Sequence, residues 1–227
     1  MFKEYIISHR DEMIKDLEKM IKIPSKLEGY DDKEYPFGKN IDDALNEFLK
    51  IAENLGFRTK NIDKYCGYVE FGEGEELVGI IGHLDVVPEG EGWTYPPFEL
   101  TIRDDILYGR GTIDDKGPVI ASLYAMKAVM EKTAIHKRVR LIVGLNEEND
   151  WKCINYYKEH EEMPIIGFSP DADFPCIYSE KALLTVYTEQ QYIENEKIRI
   201  KEIDCQNNRI NVVPKYCSVK LEVNSQI

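Results

Sequence analysis

The chain has 227 residues, 43% of them hydrophobic, and a formal net charge of −13 at pH 7. That is enough apolar material for a sizeable core in one large domain or one and a fraction, and it excludes a disordered chain. So acidic a balance argues against nucleic acid and anionic membrane surfaces as partners, because both would repel it, and leaves cations open.

No apolar run approaches the roughly 20 residues that span a bilayer, and Met1–Ile7 lacks the core of a secretion signal, so the sequence reads as soluble and cytoplasmic. The five cysteines, Cys66, Cys153, Cys176, Cys205 and Cys217, are widely spaced with no Cys-x-x-Cys pair. They read as reduced thiols rather than a disulfide frame or a zinc knot.

Apolar positions at Phe2, Ile6, Met13, Leu17, Met20 and Ile21 predict one amphipathic helix over residues 1–22. A second runs from Ile41 to Leu55 and stops at Gly56. Phe57–Ile62 and Tyr68–Phe71 read as two short strands. Next comes Leu77–Pro88, Leu-Val-Gly-Ile-Ile-Gly-His-Leu-Asp-Val-Val-Pro, an apolar run of the kind buried on both faces of a sheet. A period of two sets His83 and Asp85 on one face at its end, where open α/β sheets bind ligands. Two buried polar groups cost a few kcal/mol unless something satisfies them. A metal held by His83, with Asp85 orienting the imidazole, would do so; a core histidine bonded to a backbone carbonyl is the structural alternative.

After a loop over Glu89–Pro97, Phe98–Leu107 reads as a hairpin strand. Gly109-Arg110-Gly111-Thr112-Ile113-Asp114-Asp115-Lys116-Gly117-Pro118 then forms a glycine loop whose backbone can approach a bound group closely, ahead of a helix over Val119–Lys132. By itself the Asp114–Asp115 pair is also what a solvated turn looks like. Val139–Leu145 is a buried strand running into Asn146-Glu147-Glu148-Asn149-Asp150, acids that would equally suit a helix N-terminus. Ile165–Phe168 leads into Ser169-Pro170-Asp171-Ala172-Asp173-Phe174-Pro175. Four acidic clusters at such positions would repel one another and raise their pKa values unless a divalent cation neutralised them. Two zinc ions sharing a carboxylate and a water fit that donor set. Helices alternating with apolar strands predict an α/β fold, a three-layer mixed sheet flanked by helices.

Taken together, the Gly82–Pro88, Gly109–Gly117, Asn146–Glu148 and Pro170–Pro175 motifs resemble the di-zinc metallopeptidase family of aminoacylases, desuccinylases and carboxypeptidases. Asp114-Asp115-Lys116-Gly117-Pro118 and Pro170-Asp171-Ala172 are most similar to its bacterial PepV-type (Xaa-His) dipeptidases. The resemblance implies His83 as a ligand of one zinc, Asp85 behind it, and Asp114 bridging both metals through a cis Asp114–Asp115 peptide. It further implies Glu148 on one zinc, Asp171 on the other, and Glu147 as general base.

The implied activity is hydrolysis of dipeptides or short peptides, with zinc, manganese or cobalt as cofactor. A deacylase or desuccinylase of the same family, or a non-catalytic remnant binding metal weakly, are the alternatives. Family members run longer, inserting a smaller α+β lid domain and returning to the catalytic domain with a last histidine ligand. The expectation is therefore a truncated chain, with the catalytic portion at 1–182 and the start of a lid at 183–227. Asn208–Pro214 resembles the opening of that lid with Asn208 in place of glycine, and Ala182 replaces the glycine usual after Glu-Lys. His9, His136 and His160 read as surface residues.

Overall fold

The helical periodicities of the first third form α1 (Phe2–Ser8), α2 (Arg10–Ile21) and α3 (Lys39–Asn54) in the computed structural model. It describes residues 1–29, 32–173, 177–179, 182, 184, 186–187, 189, 198–205 and 216–223. Where the sequence predicts one N-terminal helix there are two, divided at His9. The His9 ring stacks on Tyr5 with centroids 4.0 Å apart and its Nδ1 lies 2.8 Å from the Tyr5 carbonyl. A one-residue division of this kind leaves the apolar period intact and so leaves no trace in it. The apolar stripe of α3, Ile41, Ala44, Leu45, Phe48 and Ala52, is wholly buried. Its end is a Schellman motif: Gly56 at φ +90° donates to Glu53 O, and Phe57 N to Ala52 O.

Strands β1 (Arg58–Ile62), β2 (Cys66–Phe71), β3 (Leu77–His83), β6 (Arg138–Gly144) and β7 (Ile166–Phe168) form one sheet in the order β1-β2-β6-β3-β7. The β1–β2 and β2–β6 pairs are antiparallel and the β3–β6 and β3–β7 pairs parallel, the mixed sheet expected. Phe98–Leu107, expected as a hairpin strand, holds β4 (Thr101–Arg103) and most of β5 (Ile106–Tyr108), which pair with each other in a separate two-stranded sheet. Asp104 and Asp105, at φ +50° and +61°, supply the two left-handed residues that a tight hairpin turn needs. Helix α4 (Lys116–Lys132) starts three residues before the expected position. Pro118 lies in its first turn, where the missing N–H removes no helical bond.

Helices cover both faces of the sheet. Gly67 of β2 lies against Leu45 and Leu49 of α3, and Gly82 of β3 against Val119 of α4; the paired residue of β6, Val143, faces the same way. On the opposite face, Gly144 meets Cys153 of α5 (Lys152–His160) and Arg140 donates to Tyr157 on the same helix. The α3/α4 face holds the main apolar core, in which Met20, Ile21, Phe48, Leu123 and Leu141 are buried. The α5 face carries a polar cluster, with the Arg140 Nε 2.8 Å from Glu70 Oε2 and its guanidinium over the Tyr68 ring.

The connection from β3 to β6 passes over one face and that from β6 back past β3 to β7 over the other. A crevice therefore opens at the carboxyl ends of β3 and β6, where the strand order reverses.

The chain divides into two compact units, Met1–Cys176 and Ile177–Ile227. In the second, β8 (Ile198–Asp204) pairs antiparallel with β9 (Ser218–Val223), with a register shift between Ile200 and Glu202. The lid-like Asn208–Pro214 segment, Glu180–Lys181 and Phe174–Cys176 lie outside the described residues. Among the described residues no helix is long and apolar enough to cross a membrane.

A Cβ on Gly67 would lie 2.6 Å from Leu45 Cδ1 and 3.0 Å from the Lys60 carbonyl. Gly67→Ala is therefore expected to lower the urea-unfolding free energy by about 1–3 kcal/mol. A variant as stable as the parent would contradict this packing of α3 on the sheet.

Candidate metal centre

His83, the last residue of β3, pairs with Gly144 of β6 and is only 1% exposed. Each ring nitrogen has a defined neighbour. Nδ1 lies 2.9 Å from the Asp85 carbonyl oxygen and 3.4 Å from Asp85 Oδ1, so the backbone-carbonyl alternative is realised on this side of the ring. Nε2 faces the crevice, 2.9 Å from Asp114 Oδ1, 3.3 Å from Asp171 Oδ2 and 3.7 Å from Glu147 Oε2. Burial pulls the His83 pKa down, but hydrogen bonds to Asp114, Asp171 and Asp85 outweigh it and hold the ring protonated far above its usual range. The imidazolium proton there answers the same excess of negative charge that a cation would answer.

Asp85, also 1% exposed, accepts the backbone N–H of Glu147 on Oδ1 and that of Glu148 on Oδ2, each at 3.1 Å. It thereby ties the turn after β6 to the end of β3. Asp114 and Asp115 sit at the start of α4, not at the end of a sheet strand, and the peptide between them is cis, as the resemblance implied. Asp114 is half exposed, and its hydrogen bond to His83 lowers its pKa despite partial burial.

Asp115 is fully buried and accepts the His83 N–H on Oδ2 at 3.0 Å. Gly82 permits this approach, since a Cβ there would meet Asp115 Oδ2 and Val119 Cγ2. Burial pushes the Asp115 carboxyl up to about 7.

His83, Asp114 and Asp171 are the group, among the described residues, whose ligand atoms all lie within 4.8 Å of one another. One imidazole nitrogen and two carboxylate oxygens at that spacing are a donor set suited to a divalent cation such as zinc. Glu147 stands beside it, its pKa raised by burial. Glu148, expected as a ligand, is held by its backbone to Asp85 and lies outside that trio; burial, then the charge of Asp114, pushes its carboxyl up to about 7.

Asp115, Lys116 and Ser25 were not singled out from the sequence as parts of the site. Lys116 is fully buried, which pushes its ammonium down to about 7. Asp115 and Lys116 belong to the glycine-loop motif; family likeness prefers Asp114 as the ligand, and the folded contacts give Asp115 and Lys116 their own roles.

The fold and the cluster define an α/β domain with an imidazole and carboxylates gathered where its strand order reverses. Residues 79–220 match Peptidase family M20/M25/M40, and the chain belongs to that family. It is 44% identical to "Putative dipeptidase YtjP" of Bacillus subtilis (strain 168) over 79% of this chain and 39% of that protein. It is 37% identical to "Putative dipeptidase SAB1611c" of Staphylococcus aureus (strain bovine RF122 / ET3-1) over 100% of this chain and 50% of that one. The chain thus spans half or less of the length of these relatives. In fold it is similar to human carnosine dipeptidase 1, with a TM-score of 0.59 and 22% identity over 74% of this chain and 41% of that one.

Asp115 and Glu148 hold their protons to about pH 7 in the folded chain, whereas unfolded carboxyls lose theirs near pH 4. Between those limits the folded state binds more protons, so these groups make stability fall as pH rises. Above about pH 6.5 the raised His83 adds to the loss; the lowered Lys116 opposes it, but only above about pH 7. The expected result is a lower thermal midpoint at about pH 7 than at about pH 5 for chelator-treated protein, with excess divalent cation narrowing the gap. A midpoint that rises over this interval would contradict the electrostatic reading.

Proposed function

We propose that this chain carries the metal-binding catalytic part of a dipeptidase-type hydrolase, acting on the peptide bond of dipeptides or short peptides. The observation that carries the reading is the convergence of His83 Nε2, Asp114 and Asp171 within 4.8 Å in the crevice at the ends of β3 and β6. The dipeptidase names of the similar bacterial proteins support the choice of a peptide substrate. On this reading His83, Asp114 and Asp171 would hold a divalent cation, and Glu148 would serve as a ligand of a second. Zinc is the ion proposed, and manganese or cobalt are compatible with the same donors. Residues 183–227 are the beginning of a smaller lid domain, and the protein works in the cytoplasm.

When bound, the ions supply Lewis acidity that polarises the scissile carbonyl and acidifies water. Glu147 is the general base. Its carboxylate lies 3.7 Å from His83 Nε2, and burial raises its pKa toward the range in which a carboxylate accepts a proton effectively. It takes a proton from water as the water oxygen bonds to the carbonyl carbon, and delivers that proton to the amine nitrogen as the C–N bond breaks. Asp85 holds Glu147 and Glu148 by their amides, so that two adjacent glutamates keep different tasks. The Asp85 carbonyl keeps the Nδ1 proton, which turns Nε2 toward the cation.

Two substitutions test the reading together. Glu147→Gln is expected to leave cation uptake unchanged and lower dipeptide turnover by about 10²–10⁴-fold. His83→Ala is expected to lose cation uptake. Unchanged turnover in the first, or unchanged uptake in the second, would overturn the assignment. A chain that takes up the cation but cleaves no peptide would contradict the hydrolase reading alone.

A further inference from the structure

Two loops that lie far apart in sequence meet the same short stretch of backbone. Lys116 follows directly on Asp114–Asp115, and its ammonium donates to the carbonyls of Met20 at 2.9 Å and Ile23 at 2.7 Å. These acceptors sit at the C-terminal end of α2, the negative end of its dipole. Two residues further on, Ser25 donates through Oγ to the Leu84 carbonyl at 2.6 Å, and its own carbonyl accepts the Val86 N–H at 2.9 Å. Leu84 and Val86 flank Asp85, so Ser25 grips the chain on both sides of that carboxylate. Met20, Ile21, Ser25 and Lys116 have no exposed surface. The Lys116 stem passes close to Gly111, where a Cβ would come within 3.1 Å of Lys116 Cδ and 3.2 Å of Val86 Cγ1.

A buried ammonium with carbonyl partners is costly to maintain if all it does is cap a helix, a task water or a neutral group performs at a surface end. The placement gives it a second effect. The same turn fixes the segment bearing His83 and Asp85 through Ser25, and the loop bearing Asp114 through Lys116.

We propose that the turn leaving α2, Met20–Ser25, is a clamp that sets the two ligand-bearing loops in register, with Lys116 and Ser25 as positioning residues of the metal centre. Neither side chain reaches the cation. Each acts through the separation of His83 Nε2 from Asp114 Oδ1, 2.9 Å here. The proposal rests on the reading that His83, Asp114 and Asp171 bind a divalent cation.

The test is cobalt(II) titration of the chelator-treated chain, reading affinity and the visible d–d bands. Lys116→Met removes the ammonium and keeps the stem, Ser25→Ala removes one hydroxyl, and Lys22→Met on the exposed side of the same turn is the control. Lys116→Met and Ser25→Ala are expected to weaken cobalt binding by about tenfold or more and to alter the bands while the far-ultraviolet circular dichroism stays that of the parent. Lys22→Met is expected to match the parent. Parent-like affinity and bands in folded Lys116→Met or Ser25→Ala would overturn the clamp. If Lys116→Met does not fold, Ser25→Ala alone decides.

Should the parent chain take up no cobalt, the reading of the centre fails, and the clamp is judged by the ¹⁵N shifts of the His83 ring in the chelator-treated protein. Shifts that move in Ser25→Ala and not in Lys22→Met support it; shifts that stay put in Ser25→Ala overturn it.

Discussion

Among the described residues, four carboxylates lie within 3.7 Å of the ring nitrogens of one buried imidazole: Asp85 behind it and Asp114, Glu147 and Asp171 in front. Like charges so close repel one another, and a single imidazolium charge offsets only one of them. The remaining structure is arranged to bear that repulsion. Asp85 spends both oxygens on the amides of Glu147 and Glu148, Asp115 accepts the His83 amide, and each carboxylate arrives on a different element. No single loop could hold so many acids on one side of a ring. A sheet whose neighbouring strands send their connections to opposite faces can, because the crevice between β3 and β6 receives chain from both.

Small residues make the approach possible. Gly82 leaves room for Asp115 against the end of β3, and Gly111 leaves room for the stem of Lys116. The centre is thus continuous with the core on the α3/α4 face: Lys116 is as buried as Leu45 or Phe48. Stability and site geometry share residues here, so a substitution in the turn after α2 acts on both.

Much of this is legible in the sequence alone. The apolar run Leu77–Gly82 with His83 and Asp85 at its end could only be a buried strand whose polar groups needed partners, and the acids after Leu145 and Phe168 marked two further strand ends. The apolar patterns located α3 and β6 to within two residues, because burial on these elements is governed by their own side chains; they also found the start of β3, which ends at His83, five residues before Pro88. Other features lie beyond local pattern. The division at His9 leaves the apolar stripe unbroken, and the β4–β5 hairpin turns on Asp104 and Asp105 taking positive φ, which aspartate does only in some contexts. Which aspartate of the Asp114–Asp115 pair faces the crevice and which the core was supplied by family likeness, not by the residues themselves. Ser25 stands outside every motif, and the place of Lys116 within one does not disclose its contacts, since their partners lie 59 and more than 90 residues away.

The account stands on a cation between His83, Asp114 and Asp171, and anomalous diffraction from crystals grown with zinc, recorded on both sides of the zinc absorption edge, tests it most directly. The predicted result is an anomalous peak at about 2.0–2.2 Å from His83 Nε2 and from an oxygen of Asp114 or Asp171. No peak in the crevice at full zinc loading, or peaks only at His9, His136 or His160, would contradict it.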